Sequence, residues 1–297
     1  MKTSTSKRLR WNVAIWLAAG LFMTSTAGMA SGPIMPDPKA EARHQPQVEE
    51  TANGIPLVNI TAPSSGGVSR NEYEMFNVPD KGAILNNSYT LSKTELAGYV
   101  PGNNNMAERP AKIIVNEVTG AGSTSMDGFL EVAGNRADVV IANPNGITVN
   151  GGGFINTGKA FLTTGKPVYD GEDHLQRFDI TGGDILIEGK GLGGKETESL
   201  AILSRAVKIN AGIWAEDLHI TTGANTVDAK TLEASAIEGK GGRPAFALDT
   251  AAIGGMYAGR ITLVGTEKGL GVNNSGTIYS KGNADLRANY LENDKTI

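Results

Sequence analysis

The 297-residue sequence predicts an all-β solenoid, read here as a right-handed parallel β-helix, on three observations. Turn formers are dense, with 39 Gly and 23 Asn, a frequency that long helices do not tolerate. Aliphatic residues come in runs of three to six closed by Gly or Asn, with no helical periodicity between them. A small motif also recurs: an apolar residue, Asn or Thr, Gly, then another apolar residue. Hydrophobic residues make up 40% of the chain, enough to bury a core, while aromatics make up 6%. A sandwich of short strands satisfies the same pattern and stays open as the alternative.

At the N-terminus, Lys7, Arg8 and Arg10 precede the apolar run Val13 to Met23, and small residues follow at Ser25, Ala27, Gly28 and Ala30. This is the pattern of a secretory signal peptide over residues 1–30, cleaved after Ala27 or Ala30. The run is shorter than the roughly 20 apolar residues that span a bilayer. Residues 31–51 carry Pro33, Pro36, Pro38 and Pro46 among Lys, Glu, Gln and His, a composition that predicts a flexible leader.

From residue 52 to 297 the sequence predicts one β domain. Its strands include Ile113-Ile114-Val115, Val139-Val140-Ile141, Ile185-Leu186-Ile187, Val207 to Asn210, Leu218 to Gly223, Ile261 to Gly265 and Thr277 to Tyr279. The small motif starts at Ile155, Ile180 and Ile209, 25 and 29 residues apart, and again at Val272. That spacing suits one solenoid coil plus variable loops, with inward aliphatic ladders and Asn or Gly corners.

Charge and composition exclude several functions. Four of the 27 basic side chains (Lys2, Lys7, Arg8, Arg10) lie in the first thirty residues, leaving 23 against 31 acidic ones and a formal charge of −8. No basic cluster remains to hold a phosphate backbone, so nucleic acid is not an expected partner. The absence of cysteine excludes disulfides, thiolate metal sites and cysteine nucleophiles.

The chain also resembles a known family. Gly54 to Ile60, Gly67 to Asn71, Tyr73, Phe76-Asn77-Val78 and Leu85-Asn86-Asn87 are similar to the start of the two-partner secretion domain. That domain begins filamentous haemagglutinin, related haemolysins and contact-dependent inhibition proteins. The similarity continues through Ile114 to Val118, Glu131 to Gly134, Ala137 to Ile147 and Gly153 to Thr157. Leu248-Asp249 and Gly254 to Glu267 resemble the haemagglutinin segment that follows in the same proteins.

The resemblance implies a right-handed parallel β-helix whose first strands form an N-terminal β cap. It implies a secretion-directing module of a large exoprotein of the adhesin or haemagglutinin type. The expected partner is an outer-membrane β-barrel transporter with periplasmic POTRA domains. The expected route runs through the periplasm to the cell surface or medium of a Gram-negative bacterium, with the module as a monomer.

Two turns carry the family's recognition or folding motifs: Asn103-Asn104-Asn105-Met106 and Asn143-Pro144-Asn145-Gly146, followed by Ile147. The second fits a β-turn position by position, with Asn first, Pro second and Gly fourth. In the first, Asn104 stands where the family commonly has proline, which predicts a weaker turn. Val149 and Gly152 stand where many relatives have a cysteine pair, so the disulfide-bearing branch, with its many toxins, fits less well.

Other residues fit structure better than chemistry. Asp170, Glu172, Asp173, His174 and Arg177 are the densest acid-base group, as a β-helix polysaccharide-cleaving enzyme would need, but their Gly-bounded polar setting predicts a solvated loop. His44, His174 and His219 lack metal-ligand spacing, and His219 alternates with Leu218 and Ile220 as an outward strand residue does. Ser64 to Gly67 and Gly151 to Gly153 lack the context of a phosphate loop and predict turns. The expectation is therefore no catalytic, cofactor or metal site. The alternative functions are a free-standing surface adhesin that binds a host glycan or protein, and the enzyme. No capping pattern precedes Ile297, which predicts the N-terminal part of a larger exoprotein.

Overall fold

The computed structural model describes residues 32–107 and 109–297. The expected signal peptide lies outside them. The described chain winds into a right-handed parallel β-helix of three faces, the handedness that right-twisted strands impose on parallel crossovers. One coil runs Phe129–Gly134, Ala137–Ala142 and Ile147–Val149, and the next continues through Gly152–Ile155, Thr157–Thr163 and Asp184–Ile187. Each strand pairs in parallel with the equivalent strand one coil on.

The second face gives the clearest ladder: Ile114, Val139, Ala160, Leu200, Leu218, Ile261 and Ala284 stand directly on one another. Their sequence separations are 25, 21, 40, 18, 43 and 23 residues. The two long steps contain insertions. The regular motif spacing expected from Ile155, Ile180 and Ile209 therefore does not mark the coil. Ile180 belongs to an inserted strand paired with Asn225–Asp228, and Ile209 stands on Ile187 in the third face.

Inward side chains from the three faces form one continuous core that includes Leu85, Ile114, Leu130, Ile141, Val149, Leu162, Ile187, Ile202, Ile220 and Leu263. Two further clusters lie outside the helix. The insertions form a four-stranded antiparallel sheet, Lys166–Tyr169, Leu175–Ile180, Asn225–Asp228 and Ala234–Ala236. Its Phe178, Ile180 and Val227 cover the outward Val115, Val140, Phe161, Ala201 and Leu203 of the second face. A hairpin, Ser92–Thr94 with Gly98–Val100, brings Val100 and Leu96 over Leu57, Ile84 and Ala133 of the first face.

Residues 31–51, where composition predicts a flexible leader, instead hold folded strands. Ile34–Pro36 pairs antiparallel with Val68–Phe76, and Gln47–Glu50 pairs antiparallel with Pro56–Asn59. The segment is poor in aliphatics but rich in edge hydrogen bonds: Asn77 N donates to Pro33 O at 2.8 Å and Asp37 N to Glu72 O at 3.0 Å. Ile34 adds a buried anchor against the core. These strands are the N-terminal cap that shields the first coil's open edge.

Candidate recognition site

Both expected motifs are Asn-led turns with the same internal bonding. In the first, the Asn103 carboxamide oxygen accepts from Asn105 N at 3.0 Å, while Met106 N donates to Asn103 O at 3.1 Å. In the second, the Asn143 carboxamide oxygen accepts from Asn145 N at 2.9 Å, and Gly146 N donates to Asn143 O at 3.1 Å. Asn103 Nδ2 donates to Ile60 O and Asn86 O, both at 2.9 Å. Asn143 Nδ2 donates to Gly122 O at 2.9 Å and Thr124 Oγ1 at 3.0 Å. The third residue of each turn also ties back, Asn105 Nδ2 to Ile60 O at 3.1 Å and Asn145 Nδ2 to Gly120 O at 2.8 Å.

Each turn thus buries its first Asn and satisfies all that side chain's hydrogen-bonding groups with backbone or hydroxyl partners. Met106 and Ile147 then enter the core, while Asn104, Pro144 and Asn145 stay exposed. Gly146 has φ +109°, a conformation that favours glycine, and an added Cβ would sit 3.1 Å from Asp184 O. Without proline, Asn104 still occupies a fully bonded turn, so the folded state carries no sign of the weakening that its sequence predicts. Asn103 has φ −84° and ψ 116°, the extended backbone that a following proline requires.

Asn86 and Asn87 hold the fold in a way that no sequence motif announces. Asn87 Nδ2 donates to Ala111 O and Asn135 O, both at 2.9 Å, and its oxygen accepts from Ala111 N at 2.7 Å. Asn86 Nδ2 bridges to Asn59 Oδ1 at 2.8 Å and Pro101 O at 2.9 Å. On the second face Asn71 and Asn116 stand in register, and Tyr73 Oη donates to Asn116 Oδ1 at 3.0 Å. The available signal was polar amides inside otherwise apolar strands, which are costly unless bonded.

The expected loop residues Asp170, Glu172, Asp173 and His174 lie at the tip of the inserted hairpin, and Arg177 lies on its second strand. Asp170 accepts from His174 Nδ1 at 2.9 Å, and the backbone and side-chain bonds from His174 lower the Asp170 pKa. Asp173 pairs with Arg43 of the cap at 2.8 Å, and Arg177 pairs with Asp179 at 2.8 Å. An added Cβ at Gly66 would strike the His174 ring, so the tip docks on the 64–66 turn. The geometry is that of a fastening between cap and insertion. His219 bonds Thr221 Oγ1 at 2.9 Å, and burial holds its pKa down. Ser64 to Gly67 closes a turn through Gly67 N to Ser64 O at 2.9 Å. Among the described residues no group of three His, Cys, Asp or Glu is placed to hold a metal.

A charged cluster that sequence reasoning missed lies beneath the cap. Arg70 Nη2 reaches Glu72 Oε1 at 2.8 Å and Glu117 Oε2 at 3.5 Å, and its guanidinium carbon stands 4.5 Å from the Tyr169 ring centroid. His44 Nδ1 lies 3.0 Å from the same Glu72 oxygen. Burial, then the Arg70 charge, holds His44 below its ordinary pKa, and burial pushes Glu117 up. The cluster joins cap, coil and inserted sheet, and its residues lie too far apart in sequence to form a motif.

With this geometry in view, the TPS secretion domain family matches residues 33–290. The chain belongs to that family. It is 47% identical over 251 residues to "Toxin CdiA" of Yersinia pestis, covering 84% of this chain and 8% of that protein. It is 47% identical over 249 residues to "16S rRNA endonuclease CdiA" of Enterobacter cloacae, covering 82% and 8%. With "tRNA nuclease CdiA-2" of Burkholderia pseudomallei it shares 42% identity over 252 residues, covering 84% and 8%. This TPS domain chain therefore spans about 8% of the length of these relatives. A solved structure, that of the filamentous hemagglutinin secretion domain, matches at TM-score 0.75 and 33% identity over 84% of both chains. The similarity to proteins named as toxins corrects one expectation: Val149 and Gly152, in place of a cysteine pair, do not set this chain apart from them.

Proposed function

We propose that this TPS domain directs secretion of a large exoprotein of the CdiA and filamentous haemagglutinin type. It acts as a targeting module and not as a catalyst. A cognate outer-membrane transporter recognises it, through periplasmic POTRA domains, before it folds. The protein is delivered through the periplasm to the surface of a Gram-negative cell, where the β-helix forms.

The observation that supports recognition before folding is the burial of Asn103 and Asn143. A partner that reads these side chains has access to them only in the unfolded chain. Folding outside the membrane then biases export, because each coil buries further inward aliphatics and opposes backward sliding. The buried turns make folding and recognition depend on the same residues.

The test is export from cells co-expressing the cognate transporter, followed as the surface and medium fraction over time. Removal of residues 52–150 should abolish export. A Leu85→Asp/Leu130→Asp variant, which places charges in the core, should stall in transit. Its export at the native rate would refute the folding bias while leaving the targeting role intact.

A further inference from the structure

The first face carries a stripe of aromatic rings that neither the cap, the hairpin nor the inserted sheet covers. Phe129, Gly153, Gly193, Trp214, Tyr257 and Tyr279 stand directly on one another through five successive parallel pairings. At about 4.8 Å per strand the row is about 24 Å long. Glycine leaves room for the rings: an added Cβ at Gly153, within the row, would sit 2.4 Å from the Phe129 ring, and one at Gly212, two residues before Trp214 on its own strand, would sit 2.5 Å from the Trp214 ring. The Trp214 and Tyr257 rings are nearly parallel, 14° apart, with centroids separated by 6.1 Å. Phe129 is 44% exposed and Tyr279 54%.

Beside the rings runs a polar fringe. Lys195, Glu216 and Lys281 join Trp214, Tyr257 and Tyr279 around a shallow groove of about 310 Å³. The rings offer partly exposed apolar surface at coil spacing, and the fringe offers donors and an acceptor at one edge.

The dimensions select among occupants. A row one residue wide and about 24 Å long presents at most a few hundred Å², well below the roughly 800 Å² per partner of a stable protein interface. A nucleic acid would need a basic groove, and here two lysines flank a glutamate on a chain of net charge −4. A linear, uncharged chain with alternating apolar faces and hydroxyl edges fits both the stripe and its fringe. We propose that this stripe is a binding site for a linear neutral glycan, the sugar faces lying on Trp214, Tyr257 and Tyr279 and the hydroxyls meeting Lys195, Glu216 and Lys281.

Trp214 is the sole tryptophan beyond residue 30, since the other two are Trp11 and Trp16, so its emission reports on the site. The experiment titrates residues 31–297, which lack Trp11 and Trp16, with cellohexaose, xylohexaose, maltohexaose and chitohexaose. At least one should give a saturable change in emission. Tyr279→Ala and Tyr257→Ala should each weaken that binding at least tenfold with an unchanged unfolding midpoint, and Tyr99→Ala on the distant hairpin should bind as the native chain does. Three results would overturn the site: no saturable change with any of the four sugars, native affinity in both tyrosine variants, or sedimentation showing self-association that Tyr279→Ala abolishes. The last would assign the stripe to a second copy of the chain.

Discussion

Asn143→Ala is the sharpest probe of how the second turn is held. The side chain is fully buried, and the substitution leaves the methyl-sized Cβ but removes every polar contact. Asn145 N loses its acceptor at 2.9 Å, Thr124 Oγ1 its donor at 3.0 Å, and Gly122 O one of its donors at 2.9 Å. A net hydrogen bond contributes about 1 kcal/mol, and a buried polar group left unpaired costs about 1–3 kcal/mol. Thr124 is 1% exposed and cannot recover its partner from solvent, whereas Asn145 N lies nearer the surface. The expected loss is therefore about 2–4 kcal/mol of unfolding free energy. Asn145→Ala should lose about 0.5–1.5 kcal/mol, because its exposed amide makes fewer buried contacts. Urea unfolding of the purified domain, followed by far-UV circular dichroism, reads both values. An Asn143→Ala midpoint indistinguishable from that of Asn145→Ala would refute the claim that burial of the first Asn holds the turn.

Four further outcomes are expected. Asn104→Pro should raise stability by about 0.4–1 kcal/mol in the same unfolding assay, since Asn103 already has the backbone that precedes proline. Phe178→Ala should cost about 3–5 kcal/mol, because this fully buried ring of the inserted sheet packs 5.9 Å from Phe161 and covers the second face. Replacing Asp170, Asp173 and His174 together with Ala should lower the unfolding midpoint only slightly, leave export unchanged and remove no glycan-cleaving activity, since the pairs that fasten the hairpin tip lie at the surface, where ion pairs are weak. For Glu117, burial holds the folded pKa above the unfolded 4.5, so the unfolded chain loses its proton first as pH rises. A Glu117→Gln variant should therefore gain stability relative to the native protein as pH rises from 4.5, as unfolding at a series of pH values would show, even though Arg70, Glu72, Lys166 and His44 surround the site.

The fold was legible where local pattern and native contact coincide. Val139-Val140-Ile141 and its equivalents are strands, and Asn143 to Gly146 is a turn because Asx bonding, proline and glycine all act within four residues. The same runs also carry a second signal. Consecutive apolar residues such as Ile84-Leu85 and Val139-Val140 mean burial on both sides of a sheet, so something must cover the outside of the helix. The inserted strands and the hairpin supply that cover. The coil period was hidden because insertions stretch two of the steps to 40 and 43 residues. The cap was hidden because backbone hydrogen bonds to a sheet edge, and not side-chain patterning, hold residues 34–50. The aromatic row was hidden for a third reason: Phe129, Trp214, Tyr257 and Tyr279 fall into one register only once coils of unequal length have stacked.

The two turns separate what the folded chain needs from what an unfolded chain offers. Asn103 and Asn143 are closed inside by folding, while Asn104, Pro144 and Asn145 remain at the surface. Proline at the second position acts largely by narrowing the unfolded ensemble, which is why a turn with Asn104 and a turn with Pro144 have the same native bonds. Substitutions at the exposed positions therefore disturb the unfolded chain far more than the native fold, and substitutions at the buried ones disturb both. If export follows folding alone, Asn143→Ala and Asn103→Ala should impair it in proportion to lost stability, with Pro144→Ala mild. If the transporter reads the unfolded turn, Pro144→Ala and Asn145→Ala should impair export beyond their effect on unfolding. Plotting the export rate of each variant against its unfolding free energy distinguishes the two, because recognition appears only as departure from the line.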